Sequence, residues 1–232
     1  MRLRQIAFAA RDLDATVADL RAGLGLGAPF HDPGVAIFGL RNAVLPLGDT
    51  FLEVVSPVEA ETAAGRYMHR QGGDCGYMVM VQVEDTDAAR RRAAALGVRT
   101  VWSIDLDDIR GTHFHPRDLG GPLLSVDTPT PPTAWRWAGD DWPQRSAAGA
   151  PGTLVGVEMT CPDPAAVAHR WAELLGRPLA QAGATWRIDL DGSALRFTAV
   201  PAGTAGGIAA IDLSLADRAV DRHVCATHLR TL

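Results

Sequence analysis

Glu53 is the side chain of this sequence with the clearest chemical potential. It lies between Leu52 and Val54 in the apolar stretch 51–55. Because side chains of a strand alternate between two faces, Glu53 points into an enclosed side if its two neighbours pack against a helix. A buried carboxylate without a partner shifts its pKa upward. The sequence therefore predicts that Glu53 meets a cation, a hydrogen-bond donor or water, and that it is a catalytic residue.

Two histidines, His113 and His115, are the second candidates for chemistry. They are two residues apart in GTHFHP, so an extended strand would place both on one face. On that face they could join Glu53 in holding a metal ion, or His115 could act as an acid or base near neutral pH. The competing interpretation is structural: His115 stabilises a turn and His113 is solvated or hydrogen-bonded.

The composition excludes several classes of function. The chain has 232 residues and a net charge of −5, and all 22 of its basic residues are arginine. This balance offers no basic surface for nucleic acid or an anionic membrane. Without lysine there is no Schiff-base chemistry and no phosphate-loop lysine, so neither pyridoxal phosphate nor a nucleotide is expected. The three cysteines lack CxxC spacing and the apolar first segment is too short for a signal peptide, which favours a cytoplasmic protein.

The elements that position these residues repeat along the chain. Each copy has an apolar strand, a turn with an aspartate and then an amphipathic helix, and the four aspartates are Asp12, Asp85, Asp163 and Asp217. Such internal repetition indicates a modular architecture. In the first three copies further apolar stretches follow the helix, and the order β-α-β-β-β is predicted. In the first copy these strands are expected near 35–40, 43–47 and 51–55.

The copies group into two predicted domains. Residues 1–130 are expected to pair two modules around one cavity, and residues 152–232 to contain a degenerate third module and a truncated fourth, with only a strand and a helix over 219–229. Residues 131–151 are rich in Trp, Pro and Gly. They predict a linker in which Trp135 and its neighbours join the domains, cover the cavity or stack on an aromatic ligand. The truncated module leaves a sheet edge uncovered, which favours a homodimer.

The repeated unit resembles the vicinal oxygen chelate superfamily, which includes glyoxalase I, extradiol dioxygenases, methylmalonyl-CoA epimerase and the bleomycin-resistance proteins. GDTFLEVVSP, residues 48–57, is similar to the fourth strand of a first module. THFHPRDLGGPLLSVD, residues 112–127, resembles the hairpin that ends the second module of the epimerases. The resemblance implies an α+β fold in which tandem βαβββ modules form curled mixed sheets around a cavity, a glyoxalase-like fold.

The resemblance also implies where a metal would bind. In metal-dependent members each paired module supplies one ligand seven residues before the turn aspartate and one from its fourth strand. The corresponding positions here are Gln5, Glu53, Met78 and Ser125. Gln5 and Glu53 suit nickel, zinc, iron or manganese, whereas a thioether and a hydroxyl do not. A divalent metal held by these two residues and the histidines therefore competes with metal-free acid-base catalysis and with purely structural roles.

Two main functions follow from this resemblance. One is a lyase or isomerase that handles a proton next to a carbonyl, and the other is binding without reaction, as in the bleomycin-resistance proteins. A scaffold made of degenerate modules is a third alternative. In the first two cases a small organic ligand occupies the cavity, and the residues expected to contact it are Gln5, Met78, His113, Ser125 and Trp135.

Overall fold

The computed structural model describes residues 1–200 and 204–232, so the glycine-rich turn predicted at 202–207 lies partly outside the described residues. The helices are α1 (Leu13–Leu24), α2 (Ala63–Gln71), α3 (Thr86–Ala95), α4 (Pro116–Leu119), α5 (Trp142–Ala147) and α6 (Pro164–Leu175), with 3₁₀ helices at Pro33–Phe38 and Arg136–Ala138. The strands of the first half are β1 (Arg2–Ala9), β2 (Leu40–Leu47), β3 (Thr50–Pro57), β4 (Cys75–Gln82), β5 (Thr100–Asp105), β6 (Ile109–Phe114) and β7 (Leu123–Pro129). Those of the second half are β8 (Gly152–Cys161), β9 (Leu179–Ala182), β10 (Thr185–Leu190), β11 (Ser193–Ala199), β12 (Gly207–Leu215), β13 (Asp221–Val224) and β14 (Thr227–Thr231).

These strands form one large mixed sheet that curls without closing, as the α+β resemblance implies. In the first half the order is β2-β3-β1-β4-β7-β6-β5. Strands β1 and β3 are parallel, β4 and β7 are parallel, and β1 and β4 meet antiparallel. Gln5 lies opposite Met80 and Ala7 opposite Met78, so the two modules meet in a symmetric register.

The second half repeats this arrangement. Its order is β9-β10-β11-β8-β12-β14-β13, in which β8 and β11 are parallel, β12 and β14 are parallel, and β8 and β12 are antiparallel. Ile208 of β12 lies opposite Gly76 of β4 and joins the two halves. The fourth unit therefore supplies the same central strands as the others, although it lacks a helix.

The aspartate turns account for three of the four predicted helices. Asp12, Asp85 and Asp163 each accept a hydrogen bond from the backbone N–H three residues later, which satisfies an otherwise free helical donor. The helix predicted over 219–229 is wrong. That segment forms the hairpin β13–β14, because β14 covers the edge of β12 and buries Thr227 and Leu229 in alternation.

The strand predicted near 35–40 is also wrong. Asp32 accepts a hydrogen bond from Gly34 N–H and Pro33 begins a 3₁₀ helix, which ends at Gly39 with φ of 67°. An aspartate cap and a proline at the first helical position are both local signals for the start of a helical turn. Before this segment, Phe30 forms an isolated antiparallel bridge with Val44. The sequence also did not indicate α2, which Thr62 caps and which borders the cavity.

The alternation of β3 sorts its side chains onto two faces. Leu52 and Val54 lie in the buried cluster that also contains Leu13 and Val17 of helix α1. Phe51 lies in a second apolar cluster on the opposite face. The structure thus meets the condition on which an inward-pointing Glu53 depended. No helix among the described residues is both long and apolar enough to cross a membrane.

Candidate functional site

A cavity of about 470 Å³ lies within the curl of the first-half sheet. Its walls come from both modules, from the 3₁₀ helix Pro33–Phe38, from α2 and from the linker. Its walls are mostly apolar and aromatic, including Phe38, Leu40, Val55, Tyr77, Met78, Met80, Trp102, Ile104, Leu123 and Trp137. The few polar or charged side chains that line it are Gln5, Asp32, Glu53, His113 and Arg136. An apolar cavity with a few convergent polar groups is the usual form of a small-molecule site.

Glu53 is held by two neutral amides. Gln5 Nε2 donates to Glu53 Oε2 at 2.8 Å, and Asn42 Nδ2 donates to Glu53 Oε1 at 2.6 Å. Burial raises the pKa of the Glu53 carboxyl, and the two amide hydrogen bonds oppose this rise only in part. The site therefore contains a carboxyl group that is hydrogen-bonded but has no counter-charge beside it.

The orientation of both amides is fixed by their other contacts. Trp135 Nε1 donates to Gln5 Oε1 at 2.6 Å, and an indole nitrogen can only donate. The amide oxygen of Gln5 must therefore face Trp135, which leaves its N–H groups for Glu53. Asn42 is fixed in the same way, because its Oδ1 accepts from Asp32 N–H at 2.9 Å.

This donor set does not fit the divalent metal implied by the resemblance. The oxygen of Gln5 is occupied by Trp135, and Glu53 faces N–H donors that would oppose a cation. The two remaining positions of the implied quartet carry the thioether of Met78 and the hydroxyl of Ser125, which bonds to Asp127. Within residues 1–200 and 204–232, no group of three or more His, Cys, Asp and Glu side chains is placed to hold a metal ion.

His113 lines the cavity within a group of aromatic rings, here called the aromatic wall: Phe38, Trp102, His113 and Trp137. The centroid of Trp102 lies 4.5 Å from that of His113, 5.7 Å from that of Phe38 and 6.1 Å from that of Trp137. Burial alone lowers the pKa of His113 to about 4, so the ring is neutral near pH 7. A neutral imidazole offers one donor and one acceptor to a ligand.

His115 lies elsewhere, so the structure does not bring the predicted pair of histidines together. Strand β6 ends at Phe114, because Pro116 begins α4 and His115 becomes the residue that caps it. His115 Nδ1 accepts from Arg117 N–H at 3.2 Å. This is the turn-stabilising role that the structural alternative gave it, and the catalytic and metal-binding roles predicted for it have no support in this position.

Ser125 and Trp135 are also placed behind the cavity wall rather than on it. Both are buried and neither lines the cavity, and a hydrogen bond to Gln5 connects Trp135 to the site. Ser125 Oγ donates to Asp127 Oδ2 at 2.7 Å, and Trp137 Nε1 donates to Asp127 Oδ1 at 3.1 Å. Burial raises the pKa of Asp127 to about 7. Two linker tryptophans thus fasten the linker to the first half, each through a buried polar group.

Sequence reasoning missed Asn42, Tyr77 and Asp127. A signal existed for two of them: Asn42 is a polar side chain at the start of an apolar stretch, and Asp127 lies two residues after Ser125, on the same strand face. Buried polar groups of this kind require partners. Tyr77 gave no such signal, because a tyrosine in a buried strand is ordinary.

The second half carries ion pairs where the first half carries the site. Arg196 occupies the strand position of Glu53, and Arg230 that of Ser125. Both arginines contact the buried Asp212, and Arg230 Nη2 lies 2.9 Å from Glu158 Oε2. Because these four charges neutralise one another, the described residues of this half place no uncompensated carboxyl group at the strand position of Glu53.

A family model described as a glyoxalase-like domain matches residues 6–175. The chain is 28% identical over 134 residues to the ethylmalonyl-CoA/methylmalonyl-CoA epimerase of Cereibacter sphaeroides. This alignment covers 54% of this chain and 96% of that protein. A variant methylmalonyl-CoA epimerase of Streptomyces coelicolor, solved with 2-nitronate-propionyl-CoA, has a TM-score of 0.50 and 26% identity, covering 56% of this chain and 97% of that one. A hypothetical protein from Staphylococcus aureus has a TM-score of 0.70 over 99% of this chain and 98% of its own at 10% identity, which shows the fold alone.

Proposed function

Since the chain belongs to the glyoxalase-like domain family, we propose that it binds a small organic molecule in the first-half cavity and uses Glu53, without a metal ion, to move a proton next to a carbonyl group. One observation carries this proposal. Glu53 is a buried carboxyl group in the wall of an apolar cavity, burial raises its pKa, and both of its oxygens accept hydrogen bonds from neutral amides. A carboxyl group whose pKa is raised in this way is suited to general acid-base catalysis.

The reaction can be written with the residues of this cavity. The ionised carboxylate of Glu53 takes a proton from the carbon next to the carbonyl, and the electron pair of that C–H bond moves onto the carbonyl oxygen. Tyr77 and His113 are the available donors to this oxygen. Burial raises the pKa of Tyr77 to about 12 and lowers that of His113 to about 4, so near pH 7 both are neutral groups that carry a proton. Return of a proton to the opposite face of the same carbon completes an epimerisation, whereas return to the face from which Glu53 removed it only exchanges that hydrogen with solvent.

The relatives support the same chemistry. The similar proteins are named as epimerases of acyl-CoA thioesters, and epimerisation requires a proton to leave and return at one carbon. The glyoxalase-like family model matches residues 6–175, a range that contains Glu53 and the described cavity-lining residues other than Gln5.

Deuterium exchange tests the proposal. The protein is incubated in D₂O with a panel of aryl ketones and acyl-CoA thioesters, and exchange at the carbon next to the carbonyl is followed by NMR. Exchange is expected with the wild type and is expected to fall by about a hundredfold or more in Glu53→Gln. The matched control is Glu84→Gln, which changes an exposed glutamate and should leave the rate unchanged.

A second function, binding without reaction, is favoured by the aromatic wall, which offers stacking surface beyond what proton transfer needs. Ligand binding without exchange in any member of the panel would favour this alternative. Failure of every compound both to bind and to exchange would contradict the proposal. The homodimer and the cytoplasmic location stay predictions, and light scattering tests the first.

A further inference from the structure

We infer that the cavity selects an uncharged, flat aromatic or conjugated carbonyl compound and rejects ligands that place a carboxylate inside it. This inference deepens the proposed function and rests on it for the role of the carbonyl group. It separates this chain from its epimerase relatives, whose named substrates, ethylmalonyl-CoA and methylmalonyl-CoA, carry a free carboxylate beside the thioester.

The charges around the cavity are the first reason. Arg136 is the one arginine among the described residues that line it, and Arg136 Nη1 already lies 2.7 Å from Asp108 Oδ2 with half of the side chain exposed. His113 is neutral near pH 7. The carboxyl groups of Asp32 and Glu53 also line the cavity. A carboxylate that entered would lose its hydration, meet groups of its own sign and find no free cation.

The aromatic wall is the second reason. Its four rings come from four separate elements, and Trp102 is in contact with the other three. Rings from different elements can enclose a flat molecule from several sides, and stacking rewards an aromatic or conjugated ligand beyond its apolar area. A branched aliphatic acyl group would gain only the area.

The rim of the cavity is the third reason. Ile37 and Leu106 line the cavity and yet are 71% and 39% exposed to solvent. Exposed apolar side chains at the rim of an apolar cavity continue the binding surface outward. They suit a ligand that is apolar along its whole length.

The polar groups that remain match one neutral carbonyl. Neither the ring nitrogens of His113 nor the hydroxyl of Tyr77 has a hydrogen-bonding partner in the described part of the chain, and no hydrogen bond contributes to the pKa of either group. Both line the same cavity as Glu53 and can donate to a carbonyl oxygen of a ligand bound there. A ketone conjugated to a ring fills these roles with no charge.

A matched pair of probes tests the inference. Isothermal titration calorimetry compares 2-acetylnaphthalene with 6-acetyl-2-naphthoic acid, which differ by one carboxylate on the same flat frame. The neutral ketone is expected to bind at least tenfold more tightly. Equal or tighter binding of the acid would overturn the inference.

Variants connect this preference to the cavity. Trp102→Leu is expected to weaken binding of the neutral ketone at least fivefold, whereas Val101→Ala, at an exposed neighbour outside the cavity, should leave it unchanged. Leu106→Arg should improve binding of the acid at least threefold, and Val101→Arg should not. Equal improvement in both arginine variants would show that net charge, not the cavity, excludes the acid, and would also overturn the inference.

The two proposals fail in different ways. If the neutral ketone binds selectively but no compound exchanges deuterium, proton transfer fails and the ligand class stands. If exchange occurs only with carboxylated thioesters such as methylmalonyl-CoA, the ligand class fails and proton transfer stands.

Discussion

Asp127 is expected to make the protein less stable as the pH rises from about 4 to about 7. The folded protein raises the pKa of this carboxyl from 3.8 to about 7 by burial, and hydrogen bonds from Ser125 and Trp137 offset only part of that effect. Between these two pH values the unfolded chain is ionised while the folded chain keeps the proton. Because the folded state then binds more protons, the free energy of unfolding falls with rising pH.

The size of the effect follows from the two pKa values. At about 1.4 kcal/mol for each pKa unit, the ionised Asp127 costs the folded state about 4 kcal/mol above pH 7. Asp127→Asn removes the charge and keeps the shape. The amide oxygen still accepts from Trp137 Nε1, the amide nitrogen can donate to Ser125 Oγ, and the serine hydroxyl can turn toward Thr112 O, 3.4 Å away. The variant should therefore be more stable than the wild type by about 2 to 4 kcal/mol at pH 8, and this difference should shrink to about 1 kcal/mol or less at pH 4.5.

Urea unfolding at pH 4.5, 6 and 8 measures this difference. Asp107→Asn is the control, because Asp107 is exposed and the same substitution there should change little at any pH. A difference between Asp127→Asn and wild type that does not change with pH would refute the reasoning, since it would mean that Asp127 titrates alike in the folded and unfolded chains.

Three further outcomes are expected. Gln5→Leu should lower the free energy of unfolding by about 1 to 3 kcal/mol, because Trp135 Nε1 loses its acceptor in a buried position. Urea unfolding measures this loss of stability, and an unchanged free energy would contradict the described contact. Arg196→Leu should cost more than about 2 kcal/mol in the same assay, because the buried Asp212 keeps only one of its two arginine partners. Removal of metals with EDTA should leave both the melting temperature and the binding of 2-acetylnaphthalene unchanged, and a fall in either would show that a metal belongs to the fold or to the site.

Local signals predicted much of the fold. Two local features depend on residues that are close in the chain: the helix caps at Asp12, Asp85 and Asp163, and the alternation of the first strands. The sequence therefore predicts the first strand and the helix of three units. The fourth unit shows where this reasoning fails. Its segment 219–229 forms a hairpin, because β14 pairs with the edge of β12 and β13 pairs with β14. This pairing depends on a distant strand, so the local sequence pattern does not predict it.

The site divides in the same way. The placing of Glu53 on the strand face opposite to Leu52 and Val54 follows from the sequence alone, and the packing of those two neighbours decides that the face of Glu53 is the cavity side. Its partners do not follow. Trp135 donates a hydrogen bond to Gln5, which is 130 residues away in the sequence, and the residues around either side chain do not predict this contact.

The sequence by itself determined the strand–helix starts of three units, the absence of lysine chemistry and the placing of Glu53 on the strand face opposite to Leu52 and Val54, because these depend on residue type and on short-range periodicity. Only the tertiary structure decided how that carboxyl group is held. The curl of the sheet and the folding back of the linker bring Trp135, Gln5 and Asn42 to Glu53, so that neutral hydrogen-bond donors stand where a cation would otherwise be required.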